Sequence, residues 1–121
     1  LRVIVTGCRD WGRPEVVHAA LDGVWGTCWS MQTELVVIHG GCPTGADRAA
    51  HDWTKERPGV QEEIFQADWN RYGKMAGPFR NTMMADSGAD LVLAFWDGKS
   101  RGTENMIRKA RERNLSTIVR F

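Results

Sequence analysis

Leu35-Val36-Val37-Ile38-His39-Gly40-Gly41-Cys42-Pro43-Thr44-Gly45-Ala46-Asp47 passes from an apolar run into a glycine-rich loop and out into a helical pattern. The short apolar run Leu35–His39, bounded by glycines, reads as a buried strand. From Gly45 onward Ala46, Ala49, Ala50 and Trp53 make one helical face, which stops before Pro58 because the residue preceding proline disfavours α geometry. At such a strand-to-helix junction the first backbone N–H groups lack partners and the helix dipole is positive. An anion can then be held by main chain wherever glycine lets it approach. The chain repeats the arrangement: Leu91–Trp96 is its strongest strand pattern and leads through Gly98-Lys99-Ser100-Arg101-Gly102-Thr103 into another helix. Two such junctions with arginines beside both point to a phosphate-bearing ligand. The plain alternative is a pair of tight turns in an α/β domain.

Working outward, Arg2–Thr6 reads as a buried strand, and Pro14 suits the first turn of a helix on which Val17, Leu21, Val24 and Cys28 recur. Gly23 and Gly26 weaken that helix by up to ~1 kcal/mol each relative to alanine. Val60–Gln66 is a strand interrupted by Gln61, Glu62 and Glu63, which places it near a sheet edge. The segment 67–77 reads as a long irregular loop, a form often functional in compact domains. Pro78 opens a further helix that Gly88 closes, Thr103, Ile107, Ala110 and Asn114 lie on the last helix, and Thr117–Phe121 is the last strand. Five strands alternating with four helical segments predict one α/β domain over residues 1–121, a five-stranded mostly parallel sheet with helices on both faces. Every strand-to-helix connection then lies at the carboxyl edge, where open α/β sheets bind ligands. Loops 7–13, 40–45, 67–77 and 97–102 are therefore expected around one crevice.

Composition narrows the setting. A chain of 121 residues buries roughly two-thirds of its unfolded surface and needs no disulfide scaffold. Cys8, Cys28 and Cys42 are odd in number and contain no C-x-x-C pair, which fits a reducing compartment and argues against a structural zinc site. His18, His39 and His51 form no recognised metal pattern, so no metal and no cofactor is expected. No run approaches the ~18 apolar residues of a membrane span, and a soluble cytoplasmic protein with no membrane partner is expected. Sixteen basic residues against fifteen acidic ones give no general reason to expect nucleic-acid binding. The run Arg108–Arg113 reads as a solvated helix face.

Five segments taken in order resemble the YspA-like branch of the SLOG superfamily. They are Thr6-Gly7-Cys8-Arg9-Asp10-Trp11, His39-Gly40-Gly41 to Gly45-Ala46-Asp47, Ala67-Asp68-Trp69, Gly73 to Asn81, and Ser100-Arg101-Gly102-Thr103. The resemblance covers nearly the whole chain and implies a Rossmann-like domain for nucleotides or nucleotide-derived ligands, found in bacteria and their phages. The wider superfamily includes the LOG phosphoribohydrolases, which cleave the N-glycosidic bond of nucleoside 5′-monophosphates and dimerise, and the DNA-processing DprA branch. By resemblance Arg80 matches the phosphoribohydrolase arginine, and Gly98, Gly102 and Thr103 match parts of its Gly-Gly-x-Gly-Thr-x-x-Glu loop. Asn81 replaces the lysine of that signature, Cys8 stands where the family usually has serine, and Met106 occupies the glutamate position. Glu104 is rotated by about 200° around the helix from Met106.

These residues give the expected site. Ligand or phosphate contacts are expected at Gly7, Arg9, Gly40, Gly41, Thr44, Gly45, Asp47, Trp69, Lys74, Arg80, Gly98, Ser100, Arg101, Gly102 and Thr103. Arg80 can fork onto a phosphate with two parallel hydrogen bonds. Thr103 either contacts the anion or caps its helix, Asp47 either meets the ligand or complements the helix dipole, and Trp69 and Trp11 either stack on a base or fill the core. Glu104 and Asp10 are the candidate catalytic carboxylates, because cleaving a ribosyl bond builds positive charge that a carboxylate stabilises. The leading expectation is a nucleotide-ligand binding domain that hydrolyses an N-glycosidic bond if a carboxylate other than position 106 serves. The alternatives are a non-catalytic sensor or sponge of a nucleotide signal, and DprA-like binding of single-stranded DNA. A homodimer is expected, with Trp25 and Trp29 adding apolar surface to the first helix.

Overall fold

The computed structural model describes residues 1–121. Its strands are β1 (Arg2–Gly7), β2 (Val36–His39), β3 (Gln61–Ile64), β4 (Leu91–Phe95) and β5 (Ser116–Arg120). They form one sheet in the order β3-β2-β1-β4-β5, and every pairing is parallel. Helices α1 (Pro14–Met31) and α2 (Gly45–Lys55) cover one face; α4 (Ala76–Ala85) and α5 (Arg101–Glu112) cover the other. Because successive side chains alternate across a strand, the sheet serves two cores. Val3, Val5, Val37, Leu93 and Phe95 meet Val17 and Leu21 of α1 and Ala46, Ala50 and Trp53 of α2. Ile4, Ile38 and Val92 meet Met84 of α4 and Met106 and Ala110 of α5 on the opposite side. This is the doubly wound Rossmann-like α/β arrangement that the alternation predicts, with β3 at an edge. The strand order reverses between β1 and β4, so their carboxyl ends flank the topological switch point.

Several local expectations change. The segment 67–77 is not a long irregular loop. Asp68 accepts from the Arg71 N–H (3.1 Å) and starts a short helix α3 (Trp69–Tyr72), a 3₁₀ turn follows at Gly73–Met75, and α4 begins at Ala76, two residues before Pro78. Pro78 still lies in the first turn, where its missing N–H costs no intrahelical bond. That helix ends at Ala85 rather than at Gly88. α1 runs through both of its glycines and stops where Gln32 turns left-handed (φ 55), while α5 stops before Asn114 (φ 57).

The edge strand β3 is shorter than the 60–66 segment read from sequence, and partners accommodate its carboxylates. The Arg2 guanidinium pairs with Glu63, and Glu62 Oε2 accepts from both His39 Nε2 and His51 Nδ1 (2.7 Å each). Gly41 N–H donates to His39 Nδ1 (3.0 Å), so the hydrogen of that ring sits on Nε2. Sequence spacing does not join His39, His51 and Glu62. Although they offer three ligand-type atoms, both ring nitrogens of His39 are committed within this network, Nε2 as donor and Nδ1 as acceptor.

Two tryptophans also go elsewhere. Trp11 is packed against Phe95 (ring centroids 5.6 Å) and donates its indole N–H to the Arg13 carbonyl (2.9 Å), so it is a packing residue and not a stacking platform. Trp25 is half-buried edge-on to Trp53 (6.0 Å) with Arg57 over both rings, whereas Trp29 is 71% exposed. No helix is long and apolar enough to cross a membrane.

Candidate functional site

At the carboxyl edge the loops interlock before any ligand is considered. β1 ends at Gly7, where a Cβ would stand 2.6 Å from the Ala46 Cβ and 2.7 Å from the Phe95 carbonyl oxygen, so only glycine lets three elements converge there. The next residue, Cys8, is buried. Its Sγ accepts from the Asp97 N–H (3.2 Å) and donates to the Phe95 carbonyl (3.6 Å), and burial pushes its thiol above the ordinary range. That environment is the opposite of what activates a thiolate.

The β2–α2 loop fastens onto β1 and onto itself. Gly45 has φ +72, and a Cβ on it would overlap the Cys8 carbonyl, which accepts from the Ala46 N–H (3.4 Å). Cys42 N–H donates to Asp47 Oδ2 (3.2 Å), and Gly41 N–H is taken by His39. This glycine loop therefore wraps a carboxylate of its own, and the N–H groups at Gly41, Cys42 and Ala46 are already spent. Asp47 is buried, and that burial raises its carboxyl above the ordinary range against the opposing pull of the Cys42 N–H, His39 and Arg80.

Arg80 projects from α4 onto the same floor. It donates through Nη1 to the Gly40 carbonyl (3.0 Å) and through Nε to Asn81 Oδ1 (3.0 Å), while Nη2 has no protein partner. A Cβ at Gly40 would overlap Arg80 Nη1 and lie 3.1 Å from Asp47 Oδ2, so the missing side chain is what lets cation and carboxylate share this corner. Burial lowers the affinity of Arg80 for its proton, and Asp47 opposes that. Asn81 is a buried clamp. Its Nδ2 donates to Asn105 Oδ1 (3.0 Å) and to the Gly102 carbonyl (3.3 Å), tying α4 to the start of α5.

The β4–α5 loop is built on Asp97. Its Oδ1 accepts from the Ser100 N–H (2.7 Å) and the Lys99 N–H (2.8 Å), which holds its carboxyl below the ordinary range. The Ser100 and Thr103 hydroxyls are 3.2 Å apart, and the Trp96 indole N–H donates to the Ser100 carbonyl (3.0 Å). This leaves the first-turn N–H groups of Arg101, Gly102 and Thr103 without intrahelical acceptors.

These parts enclose a cleft of about 1320 Å³. All the residues read from sequence as contacts lie along it except Gly45, turned onto the Cys8–Arg9 backbone, and Gly98, which only shapes its turn at φ +80. Arg9, Lys74, Arg80 and Arg101 are there with Lys99 and Arg108, facing Asp10, Asp47, Asp97 and Glu104. Trp69 is half-exposed over Gly77 and lines the opening. Met106 is fully buried against the second core, so its position has no access to the cleft, whereas Glu104 does.

Sequence reasoning put the loop 97–102 at the crevice but gave Asp97 no part in it, and it missed Asn81 and Arg108 as cleft residues. An aspartate two residues before a backbone N–H is an Asx-turn signal that could have found Asp97. Arg108 follows Glu104 by four positions and so shares its helix face, which the reading as solvated surface overlooked.

Residues 1–72 match the model of the YspA, cpYpsA-related SLOG family. The Gene 61 protein of Mycobacterium phage D29 is 38% identical over 122 residues, an alignment covering 97% of this chain and 94% of that protein.

Proposed function

The chain belongs to the YspA, cpYpsA-related SLOG family, and from that premise we propose that it binds a nucleotide or nucleotide-derived ligand in the cleft at the carboxyl edge of its sheet. One observation carries the reading. Arg80, whose Nη2 has no protein partner, lines one cleft with Lys99 and with Arg101, Gly102 and Thr103 of the first turn of α5. A phosphate between them gains a charge-assisted hydrogen bond, main-chain donors and the positive end of a 12-residue helix. Trp69 at the rim is the surface on which a base stacks. The glycine loop 40–45, which also lines the cleft, holds Asp47 and receives Arg80.

Binding without turnover is the form of this reading that the site supports best. Met106 is sealed in the core, and Glu104 is an exposed carboxylate without a protein partner. Hydrolysis of an N-glycosidic bond remains the second reading, with Glu104 or Asp10 as its carboxylate. A homodimer belongs to the same proposal. Of the two tryptophans on which the expectation rests, Trp25 is taken up by Trp53 while Trp29 is 71% exposed; Tyr72, Met75, Phe79 and Met83 add further exposed apolar surface from α3 to α4.

The test is calorimetry with nucleoside mono- and diphosphates, joined to mass spectrometry of small molecules retained through native purification. Arg80→Ala is expected to weaken 5′-AMP binding by about 1.5–3 kcal/mol, roughly ten- to hundred-fold, the scale of hydrogen bonds to charged groups. Unchanged affinity in that variant refutes the phosphate placement. Free base appearing in the wild-type incubation, and lost in Glu104→Gln, selects the hydrolytic reading.

A further inference from the structure

Asp47 and Arg80 meet at Gly40 in an arrangement that packing alone does not require. The carboxylate is buried in the first turn of α2, and the guanidinium reaches the same point from α4, yet the two form no direct hydrogen bond. Arg80 instead spends its donors on neutral oxygens of Gly40, Asn81 and Phe65, and Asp47 accepts from a backbone N–H. Both line the cleft floor. They stand inside the ~4–6 Å over which charges move each other's protonation.

Resting on the nucleotide-binding reading above, we propose that Asp47 and Arg80 act as one recognition unit in which an anion held by Arg80 draws a solvent proton onto the Asp47 carboxylate. Before the ligand arrives, the Cys42 N–H, His39 and Arg80 all oppose the burial that already favours the neutral acid, and of these Arg80 is the one with an N–H group free for an anion. A phosphate on Nη2 cancels that support and adds a negative charge to the same low-dielectric floor, and both changes favour the protonated acid. The neutral carboxyl then offers its O–H to the ligand, which a carboxylate cannot do.

His39 also acts on Asp47, but its ring nitrogens, unlike Arg80 Nη2, are both committed within the protein. His39, at the end of β2, is tied between the Gly41 N–H and Glu62, which in turn holds His51. Cys42 contributes its backbone N–H, and Arg9 from the β1–α1 loop faces Arg80 as a like charge. The consequence is a cleft that selects its anion together with a proton and grips it harder as pH falls.

The experiment is titration of the full chain with 5′-AMP across mildly acidic to neutral pH, in pairs of buffers with different ionisation heats. The wild type is expected to take up a fraction of a proton, up to one, beyond the uptake seen in Asp47→Asn. Its Kd is expected to show an extra pH slope of up to about tenfold per unit that the variant lacks. The phosphate's own titration is common to both proteins and drops out of the comparison. The ¹³C-carboxyl shift of Asp47 in the wild type, read with and without AMP, needs no variant and is expected to move toward the protonated value on binding. Binding with equal slopes in both proteins overturns this proposal while leaving the nucleotide reading standing, as does a slope that survives in Asp47→Asn and vanishes in His39→Gln. Absence of binding in the wild type at every pH overturns both.

Discussion

Met106 shows how one position separates ancestry from chemistry. The resemblance drawn from sequence aligns it with a catalytic glutamate, and the structure puts it among Ile4, Ile38 and Met84 with no exposed surface. Met106→Glu is therefore expected to destabilise the fold by at least about 3 kcal/mol, losing core packing and burying a carboxyl without a partner. Urea denaturation of the variant beside the wild type checks this, and a stable variant that gains base release would mean α5 can rotate toward the cleft. The neighbouring Glu104 is outside the core, so its replacement by glutamine is expected to leave the midpoint of the same curve unchanged.

At the scale of elements, two features trade stability for placement. α1 carries Gly23 and Gly26 where a Cβ meets nothing within 4 Å, and neither has a positive φ. Gly23→Ala and Gly26→Ala are each expected to stabilise the protein by about 0.5–1 kcal/mol, seen as a higher denaturation midpoint at unchanged slope. The edge strand β3 depends on charge instead. Glu63 is held below the ordinary carboxylate range by hydrogen bonds from Arg2. Glu62 is also lowered, because hydrogen bonds from His39 and His51 together outweigh its burial. Carboxyls lowered in the folded state contribute stability that is present above their unfolded value of 4.5 and is lost as pH falls through it toward the folded value. Amide protection factors along β3, corrected for the intrinsic pH dependence of exchange, are expected to fall below about pH 4.5 ahead of those in β1 and β4. A β3 as protected at pH 4 as at pH 7 would show that these pairs do not hold the edge.

For the whole molecule, parallel pairing places every strand-to-helix loop on one edge, and the reversal between β1 and β4 opens the cleft there. Tyr72, Met75, Phe79 and Met83 are exposed apolar side chains on the stretch from α3 to α4. Light scattering is expected to give a species of twice 13.6 kDa at micromolar concentration, reverting to 13.6 kDa in the double variant Phe79→Glu, Met83→Glu. A wild type that stays at the monomer mass throughout removes the dimer.

The fold was legible because its signals are local. The run Leu35–His39, the Ala46/Ala49/Ala50/Trp53 face and the Leu91–Trp96 strand each follow from spacing within a dozen residues, and alternating strands and helices leave little choice but a parallel sheet. Local signals also placed Arg80, Thr103 and Trp69 on the cleft. What each loop does there depended on partners distant in sequence. Gly45 is needed because Cys8 crosses it, Gly40 because Arg80 arrives from forty residues away, and two N–H groups of the first glycine loop, those of Gly41 and Cys42, are spent on His39 and Asp47. A glycine-rich loop reads the same in sequence whether its donors wait for an anion or already hold a side chain. Tertiary structure alone decides between them, because a backbone N–H is satisfied by whichever acceptor the fold brings within about 3 Å.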